Sequence, residues 1–207
     1  MLEIASPGAL ANSAVTVEAG ARLAVAGGSR AAVAGLDLRG GVDVGVSGLT
    51  VAAGLADADI RLALGQGRGS GAWNSGVGVF SSAVAGALAA GQYRTVGWIR
   101  DGDGGVTFAF AAPGDTDLDG VVDVLDAANV LSGRRFDSGE AAIWSEGDFT
   151  HDGAVDVLDA AEFLSAGLFD AGGYLPSPLA VAPVPEPAGS WAAVGLAAAA
   201  LLVRRRR

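Results

Sequence analysis

Apolar and polar positions alternate with a period of two along the first 65 or so residues, in short runs that end at glycines, such as AVTVEAG, ARLAVAGG and VDVGVSGLTVAAG. Alternation of this kind places every second side chain on one face of a β-strand. Short, repeated strands favour the coils of a parallel β-solenoid, and an antiparallel β-sandwich is the alternative. The side chains expected on the buried strand faces are Val15, Val17, Leu23, Val25, Leu36, Leu38, Val42, Val44, Val46, Leu49 and Val51.

Residues 66–112 end in a hairpin signature. The runs RTVGWIR and GVTFAFA alternate like strands, and DGDGG between them supplies residues that tolerate positive φ. Asp101 and Asp103 are therefore interpreted as turn residues. The pattern predicts a mainly β first region, residues 1–112, that ends in this hairpin.

The pattern then changes to an internal repeat with an offset of 33 residues. GDTDLDGVVDVLDAANVLSGRRFD (114–137) aligns with GDFTHDGAVDVLDAAEFLSAGLFD (147–170), and VDVLDAA is identical in both copies. Each copy begins with acids at alternate positions and continues with apolar residues at helical spacing. A short helix is thus predicted after each acidic loop, with one face formed by Leu125, Ala128 and Leu131 in the first copy and by Leu158, Ala161 and Leu164 in the second.

Each acidic loop has the residue types of a twelve-residue calcium loop. Calcium takes six to eight hard oxygen ligands, so a short loop must turn several carboxylates inward, and a glycine at the sixth position (Gly120, Gly153) permits the sharp bend. The expected ligands of the first loop are Asp115, Asp117, Asp119, Asp123, Asp126 and the backbone carbonyl of Val121. Those of the second loop are Asp148, Thr150, Asp152, Asp156, Asp159 and the backbone carbonyl of Ala154.

Two Ca²⁺ sites are therefore expected, and the second should bind more weakly because Thr150 stands where the first loop has an acid. Val122 and Val155, at the eighth positions, are expected to pair the two loops or to seal them against the core. His151, at the fourth position of the second loop, is expected to point outward.

Residues 113–172 resemble a type I dockerin, in which a calcium loop followed by a helix is duplicated and aspartate stands at the twelfth position. The resemblance implies a small α module with two calcium sites, and a cohesin-like domain as one class of partner. The tenth and eleventh positions depart from that family, which typically presents small hydroxyl residues to cohesin there. This chain has Val124, Leu125, Val157 and Leu158 instead, which favours contact between the two repeats.

The first third of the chain resembles the autotransporter-type β-helical repeats of secreted bacterial surface proteins. The resemblance is one of composition and implies a non-catalytic surface role for this region. A polysaccharide matrix is a further class of partner for such a surface.

Composition and charge exclude several other functions. The chain has no cysteine, which excludes disulfides, thiolate metal sites and a cysteine nucleophile. It has a single histidine, which argues against a zinc site built from histidines and against serine/histidine catalysis. Residues 113–187 hold fifteen acids and two arginines, a local net charge of −13, whereas the whole chain has a net charge of −10. A surface of that sign repels nucleic acid and attracts cations.

The C-terminal end has the composition of a membrane segment. Residues 173–187 form a proline-rich linker, and residues 188–207 consist of sixteen uncharged residues followed by four arginines. A helix of sixteen residues is about 24 Å long, so Trp191 and snorkelling arginines would be needed to span the hydrocarbon core. The arginines would remain on the cytoplasmic side and place the rest of the chain outside.

This end resembles the PEP-CTERM sorting signal, which implies processing by an exosortase-type protease, and an ordinary membrane anchor is the alternative. The sorting motif would be Val184, Pro185, Glu186 and Pro187. An exported protein also needs an N-terminal signal, and residues 1–21 contain no basic residue and no apolar run of signal length. We therefore expect the natural protein to begin upstream of Met1.

Together these features predict an exported, non-catalytic cell-surface or matrix protein, anchored at least transiently in the membrane. The alternative is the C-terminal part of a polysaccharide-degrading protein, because dockerins usually accompany glycoside hydrolases. The N-terminal acids Asp37, Asp43, Asp57 and Asp59 lie in strand or turn patterns with few aromatic residues nearby, which weighs against that alternative. An adhesin whose β face binds glycans is compatible with the same sequence.

Overall fold

The computed structural model describes residues 1–26 and 30–175. The expected membrane helix and the sorting motif lie outside these residues. Among the described residues, no helix has the length and apolarity needed to cross a membrane.

Strands in the described residues form two sheets. Their bounds are β1 Leu2–Ile4, β2 Leu10–Val17, β3 Arg22–Val25, β4 Ala31–Leu38, β5 Gly41–Asp43, β6 Gly48–Ala53, β7 Gly78–Phe80, β8 Thr95–Arg100 and β9 Val106–Ala111. The first sheet has the order β1-β3-β5-β7 and is parallel throughout. The second has the order β2-β4-β6-β9-β8, with β2, β4 and β6 parallel and β9 antiparallel to both of its neighbours.

Strands β1 to β6 alternate between the two sheets along the chain, so that each turn adds one strand to each sheet. The pairing within each sheet up to β7 is parallel, unlike the antiparallel pairing of a sandwich. The alternating valines and leucines lie between the sheets, where Val42, Leu49 and Val51 are fully buried. Stacked valine and leucine side chains, together with the rings of Phe80, Trp98 and Phe108, therefore build the core of the β region.

Two helices interrupt the β region, α1 (Asp57–Arg68) and α2 (Ser82–Ala89). Asp57 and Asp59 were expected in a strand or turn, and that expectation is wrong: they lie in the first turn of α1, where negative charge stabilises the positive end of the helix dipole. Helix α1 packs tightly on β7, since a Cβ on Gly67 would lie 1.7 Å from the Val79 carbonyl oxygen. Alanine- and glycine-rich sequence did not distinguish these helices from strands.

The acidic repeats form the last part of the described chain, with α3 (Val124–Gly133), a 3₁₀ turn (Trp144–Glu146) and α4 (Val157–Ala166). The eighth-position valines connect the repeats: Val122 forms a parallel bridge with Phe169, and Val155 forms one with Phe136. Each valine thus pairs with the segment that follows the helix of the other repeat. Leu118, Trp144 and Phe149 belong to the same buried apolar cluster as the β strands.

Candidate metal centre

The two acidic loops have the same backbone conformation at equivalent positions. The sixth-position residues Gly120 and Gly153 have φ of 91° and 90°. The fourth-position residues Leu118 and His151 also have positive φ, 60° and 64°, which is uncommon for residues other than glycine. The duplication seen in the sequence therefore extends to the shape of the loops.

The twelfth-position carboxylates are buried and close each loop. Asp126 Oδ1 accepts a hydrogen bond from the Thr116 amide at 2.7 Å, and its Oδ2 accepts one from the Asp123 amide at 2.8 Å. Asp159 accepts equivalent bonds from the amides of Phe149 and Asp156, both at 2.8 Å, and a further one from the Thr150 amide at 2.9 Å. Each carboxylate thus ties the start of its loop to the start of the following helix.

The first-position carboxylates, Asp115 and Asp148, are also buried. Asp115 accepts hydrogen bonds from the amides of Asp119 and Gly120, at 3.2 and 3.0 Å. Asp148 accepts equivalent bonds at 3.1 and 3.0 Å from the amides of the fifth and sixth residues of its own loop. Both side chains are held inside the curve of the loop.

Burial raises the pKa of Asp115 to about 7, and it raises the pKa of Asp148 to about 7 as well. Nearby negative charge contributes in both loops, from Asp126 in the first and Asp159 in the second. Burial and the charge of Asp119 also raise the pKa of Asp117. A bound cation would offset the mutual repulsion of these carboxylates.

The carboxylates at the fifth and ninth positions bond to the backbone of the loop. Asp119 Oδ1 accepts from the Val121 amide at 2.8 Å, and Asp152 Oδ1 accepts from the Ala154 amide at 2.9 Å. The ninth-position side chains are helix N-caps, since Asp123 and Asp156 each accept from the amide two residues on, both at 2.7 Å.

Three carboxylates of the first loop converge. One oxygen atom from each of Asp115, Asp117 and Asp126 lies within 4.8 Å of the other two, and in the described part of the chain this is the one such group of three acids. Asp119 and Asp123 lie outside it. This cluster could hold a metal ion, and a set of oxygen donors suits a hard cation such as Ca²⁺ or Mg²⁺.

The second loop offers two buried carboxylates, Asp148 and Asp159, and a hydroxyl. The Thr150 Oγ1 atom is buried and has no hydrogen-bond partner among the described residues. A buried hydroxyl without a partner is costly unless something else satisfies it. An ion at this position would do so, and the residues of the second loop therefore fit a metal as well.

Several residues that support the loops carried no sequence signal. The Tyr174 hydroxyl donates to Asp115, the Trp144 indole donates to the Asp115 carbonyl at 2.6 Å, and the Thr116 hydroxyl donates to Asp126 at 2.7 Å. Tyr174 follows the second repeat, Trp144 lies between the repeats, and Thr116 occupies a position that is not a ligand in a calcium loop. Only the folded chain brings Tyr174 and Trp144 to the first loop.

His151 does not point outward as expected. It is 6% exposed and lies against Trp144, with ring centroids 5.4 Å apart and planes inclined by 17°. Burial and the nearby guanidinium of Arg68 lower its pKa to about 3. The expectation was wrong because the fourth position faces the β region in this fold.

The apolar residues at the tenth and eleventh positions do not make the expected contact between repeats. Val124, Leu125, Val157 and Leu158 are each more than half exposed. Val122 and Val155 connect the repeats instead. The tenth and eleventh positions therefore remain available on the surface of the described structure.

No family model, curated protein or solved structure matches this chain.

Proposed function

We propose that this chain is a non-catalytic, exported cell-surface or matrix protein in which the two acidic loops bind Ca²⁺. The observation that carries the proposal is the pair of buried carboxylates at the first and twelfth positions, built twice with the same hydrogen bonds. Burying two carboxylates in one short loop is unfavourable without a cation. A structure that does this twice favours a metal-binding role over a solvated acidic loop.

Calcium is the metal that suits these loops best. The donors are carboxylate, hydroxyl and backbone oxygens, with neither cysteine nor a ligating histidine in the sets. The flexible, many-oxygen coordination of calcium tolerates the difference between the loops, whereas Mg²⁺ demands a near-ideal octahedron. Calcium outside cells is abundant enough to fill sites with millimolar dissociation constants.

The proposed location rests on the C-terminal sequence. A PEP-like motif, an uncharged stretch and four arginines support a sorting or anchoring tail that an exosortase-type protease processes. Mass spectrometry of the mature product separates the two versions of this proposal. Loss of the residues after the motif supports sorting, and a tail retained through Arg207 supports a plain membrane anchor.

Calcium titration by calorimetry, with circular dichroism in parallel, tests the metal-binding proposal on the full chain. We expect two binding events in the native protein and one in each of the variants Asp126→Asn and Asp159→Asn. Asp103→Asn is the matched control, because it makes the same change at an exposed turn outside the loops. Absence of calcium binding at millimolar calcium would reject the proposal.

A further inference from the structure

The fourth-position residues of both loops are directed into the β region. Leu118 and His151 are 4% and 6% exposed, whereas the acids on either side of Leu118, Asp117 and Asp119, are exposed. In the first loop, Leu118 thus faces the β region while the two acids beside it face solvent. Because the two repeats are related by the offset of 33 residues, the two buried anchors, Leu118 and His151, are equivalent.

Leu118 packs on strand β8. A Cβ added to Gly97 would lie 2.7 Å from Leu118 Cδ2 and 2.8 Å from Trp144 Cε2, so the glycine makes room for both side chains. The guanidinium of Arg30 donates to the Leu118 carbonyl. The backbone of the first loop is therefore held by the β region at the residue between two predicted ligands.

His151 holds the second loop in an equivalent way. Its ring stacks on Trp144 and meets the edge of Trp73, which follows α1, with centroids 5.6 Å apart and planes inclined by 83°. Arg68, at the end of α1, donates to the Thr150 carbonyl at 2.8 Å and pairs with Glu162 of α4 at 2.7 Å. The residue before the anchor is thus fixed to the β region as well.

The anchors are mechanically connected to the ligands. The amides that follow Leu118, those of Asp119 and Gly120, are the donors that hold Asp115 inside the first loop. The corresponding amides after His151 hold Asp148. A shift of either anchor would therefore move the first-position carboxylate of its loop.

We propose that Leu118 and His151 are positioning residues that couple calcium binding in the two loops to the packing of the β region, Leu118 through strand β8 and His151 through Trp73 and the end of helix α1. The inference rests on the proposed calcium binding. By thermodynamic linkage, if packing on the β region preorganises the loops and raises their affinity for calcium, calcium must stabilise that packing to the same extent. The β region is then part of the calcium sites although it supplies no ligand.

Calorimetric titration of the full chain with CaCl₂ tests the effect of the anchors on affinity. Removing a group that orients a metal ligand typically weakens metal binding by about 10- to 100-fold. We expect His151→Ala to weaken the second site and Leu118→Ala the first, each by roughly tenfold or more. His151→Phe and Leu118→Met retain an anchor of similar size and should restore most of the affinity.

Leu131→Ala is the matched control. Leu131 lies on α3 in the same repeat as Leu118 but is 77% exposed, and its truncation should leave calcium affinity unchanged. Equal affinities in the native protein and the two anchor-to-alanine variants would overturn the inference. So would a failure of both conservative variants to restore affinity while circular dichroism shows native secondary structure.

Hydrogen exchange on the native full chain tests the reciprocal effect without any substitution. With calcium, amides of residues 68–73 and 95–111 should exchange more slowly than with a chelator, and amides of residues 10–25, at the other end of the β region, should change less. Calorimetric binding without slower exchange in residues 68–73 and 95–111 would overturn the coupling and leave the proposed function standing. Absence of binding would reject the proposed function and the inference with it.

Discussion

At the scale of single residues, each loop is built around two buried carboxylates. Among the described residues, no positively charged side chain forms an ion pair with them. Asp115 and Asp148 are fully buried, and Asp126 and Asp159 nearly so. Their hydrogen bonds come from backbone amides and hydroxyls, which orient the oxygens but supply only partial charge. A cation is the component that would make this arrangement stable with all carboxylates ionised.

This environment predicts a pH-dependent effect of calcium on stability. Asp115 and Asp148 have a pKa of about 7 in the fold against an ordinary value of 3.8. Without calcium, the stability that comes from their protonation is fully present below about pH 4 and is lost as the pH rises to about 7. Calcium competes with those protons, so we expect the calcium-induced rise in Tm to be larger at pH 8 than at pH 5.

The measurement compares thermal unfolding with calcium and with chelator at each pH. The comparison with chelator is needed because His151 also makes stability depend on pH, in the direction opposite to Asp115 and Asp148. Its lowered pKa stabilises the fold above pH 6.5, and this stability is lost as the pH falls towards 3. That contribution is common to both conditions. A calcium-induced rise in Tm that is the same at pH 5 and pH 8 would contradict the prediction.

Replacing glycine with alanine should change the free energy of unfolding in opposite directions at Gly120, in the first loop, and at Gly65, in helix α1. Gly120 has φ of 91°, and a Cβ there would lie 2.4 Å from Leu175 Cδ1. We expect Gly120→Ala to lower the free energy of unfolding by about 1–2 kcal/mol or more, because positive φ strains an L-residue. Gly65→Ala lies on an open face of helix α1 with no atom within 4 Å, and it should raise the free energy by about 0.5–1 kcal/mol.

Urea unfolding of the two glycine variants in the presence of chelator provides the measurement. The chelator keeps any change in metal affinity out of the result. Equal destabilisation by both alanines would show that side-chain addition in general, rather than the bend of the loop, determines the effect.

At the scale of elements, the loop and the helix of each repeat share residues. Asp123 and Asp156 are predicted ligands and are also the N-caps of α3 and α4. Asp126 and Asp159 complete the capping boxes and are also the predicted twelfth-position ligands. The start of each helix and the end of each loop therefore form one structural unit, and a change at these residues affects both.

Two substitutions of Asp156 should separate capping from metal binding. Asn is as good an N-cap as Asp, whereas Ala cannot accept the hydrogen bond, and loss of a cap costs about 0.5–2 kcal/mol. With chelator present, we expect Asp156→Asn to unfold like the native chain and Asp156→Ala to be less stable by that amount. With calcium present, both variants should bind the ion more weakly because each lacks a carboxylate.

Urea unfolding with chelator and calorimetry with calcium measure the two effects on Asp156 variants. Asp103→Ala is the control, since Asp103 is an exposed turn residue outside both loops. If Asp156→Asn lost as much stability in chelator as Asp156→Ala, the assigned cap would be wrong.

At the scale of the whole molecule, the β region and the acidic repeats have one continuous core. Leu118, Trp144 and Phe149 belong to the same buried cluster as Val96, Trp98 and Phe108 of β8 and β9. The 3₁₀ turn between the repeats packs on β8. The repeats therefore pack against the β region and do not form a separate domain with a core of their own.

This shared core predicts that removal of calcium destabilises the whole described chain. A ligand that binds only the folded state adds about 2.7 kcal/mol per site at a concentration of one hundred times its Kd. Differential scanning calorimetry of the full chain should show a transition that moves to lower temperature with chelator and is restored by calcium. Separate transitions, with the β-region transition insensitive to calcium, would contradict the prediction.

Much of the repeat region could be predicted from residue types and spacing, because a calcium loop and its helix are defined by local contacts. The burial of His151 could not be predicted, since nothing in the loop sequence indicates that Trp73 and Trp144 lie beside it in the fold. Helices α1 and α2 were missed because runs of alanine and glycine lack a clear period of either 2 or 3.6. The exposure of Val124 and Leu125 was missed because an apolar residue after a loop suggests burial.

Residue types and spacing are enough to establish the twofold acidic repeat, the candidate ligands and the strand pattern of about the first 53 residues. These features follow from local rules: side-chain period, loop spacing and the oxygen preference of hard cations. Which side of each loop is buried, and which residues support the carboxylates, became clear from the folded chain alone. The physical reason is that burial of Leu118 and His151 depends on a surface about 20 to 80 residues away in the chain, which no local pattern records.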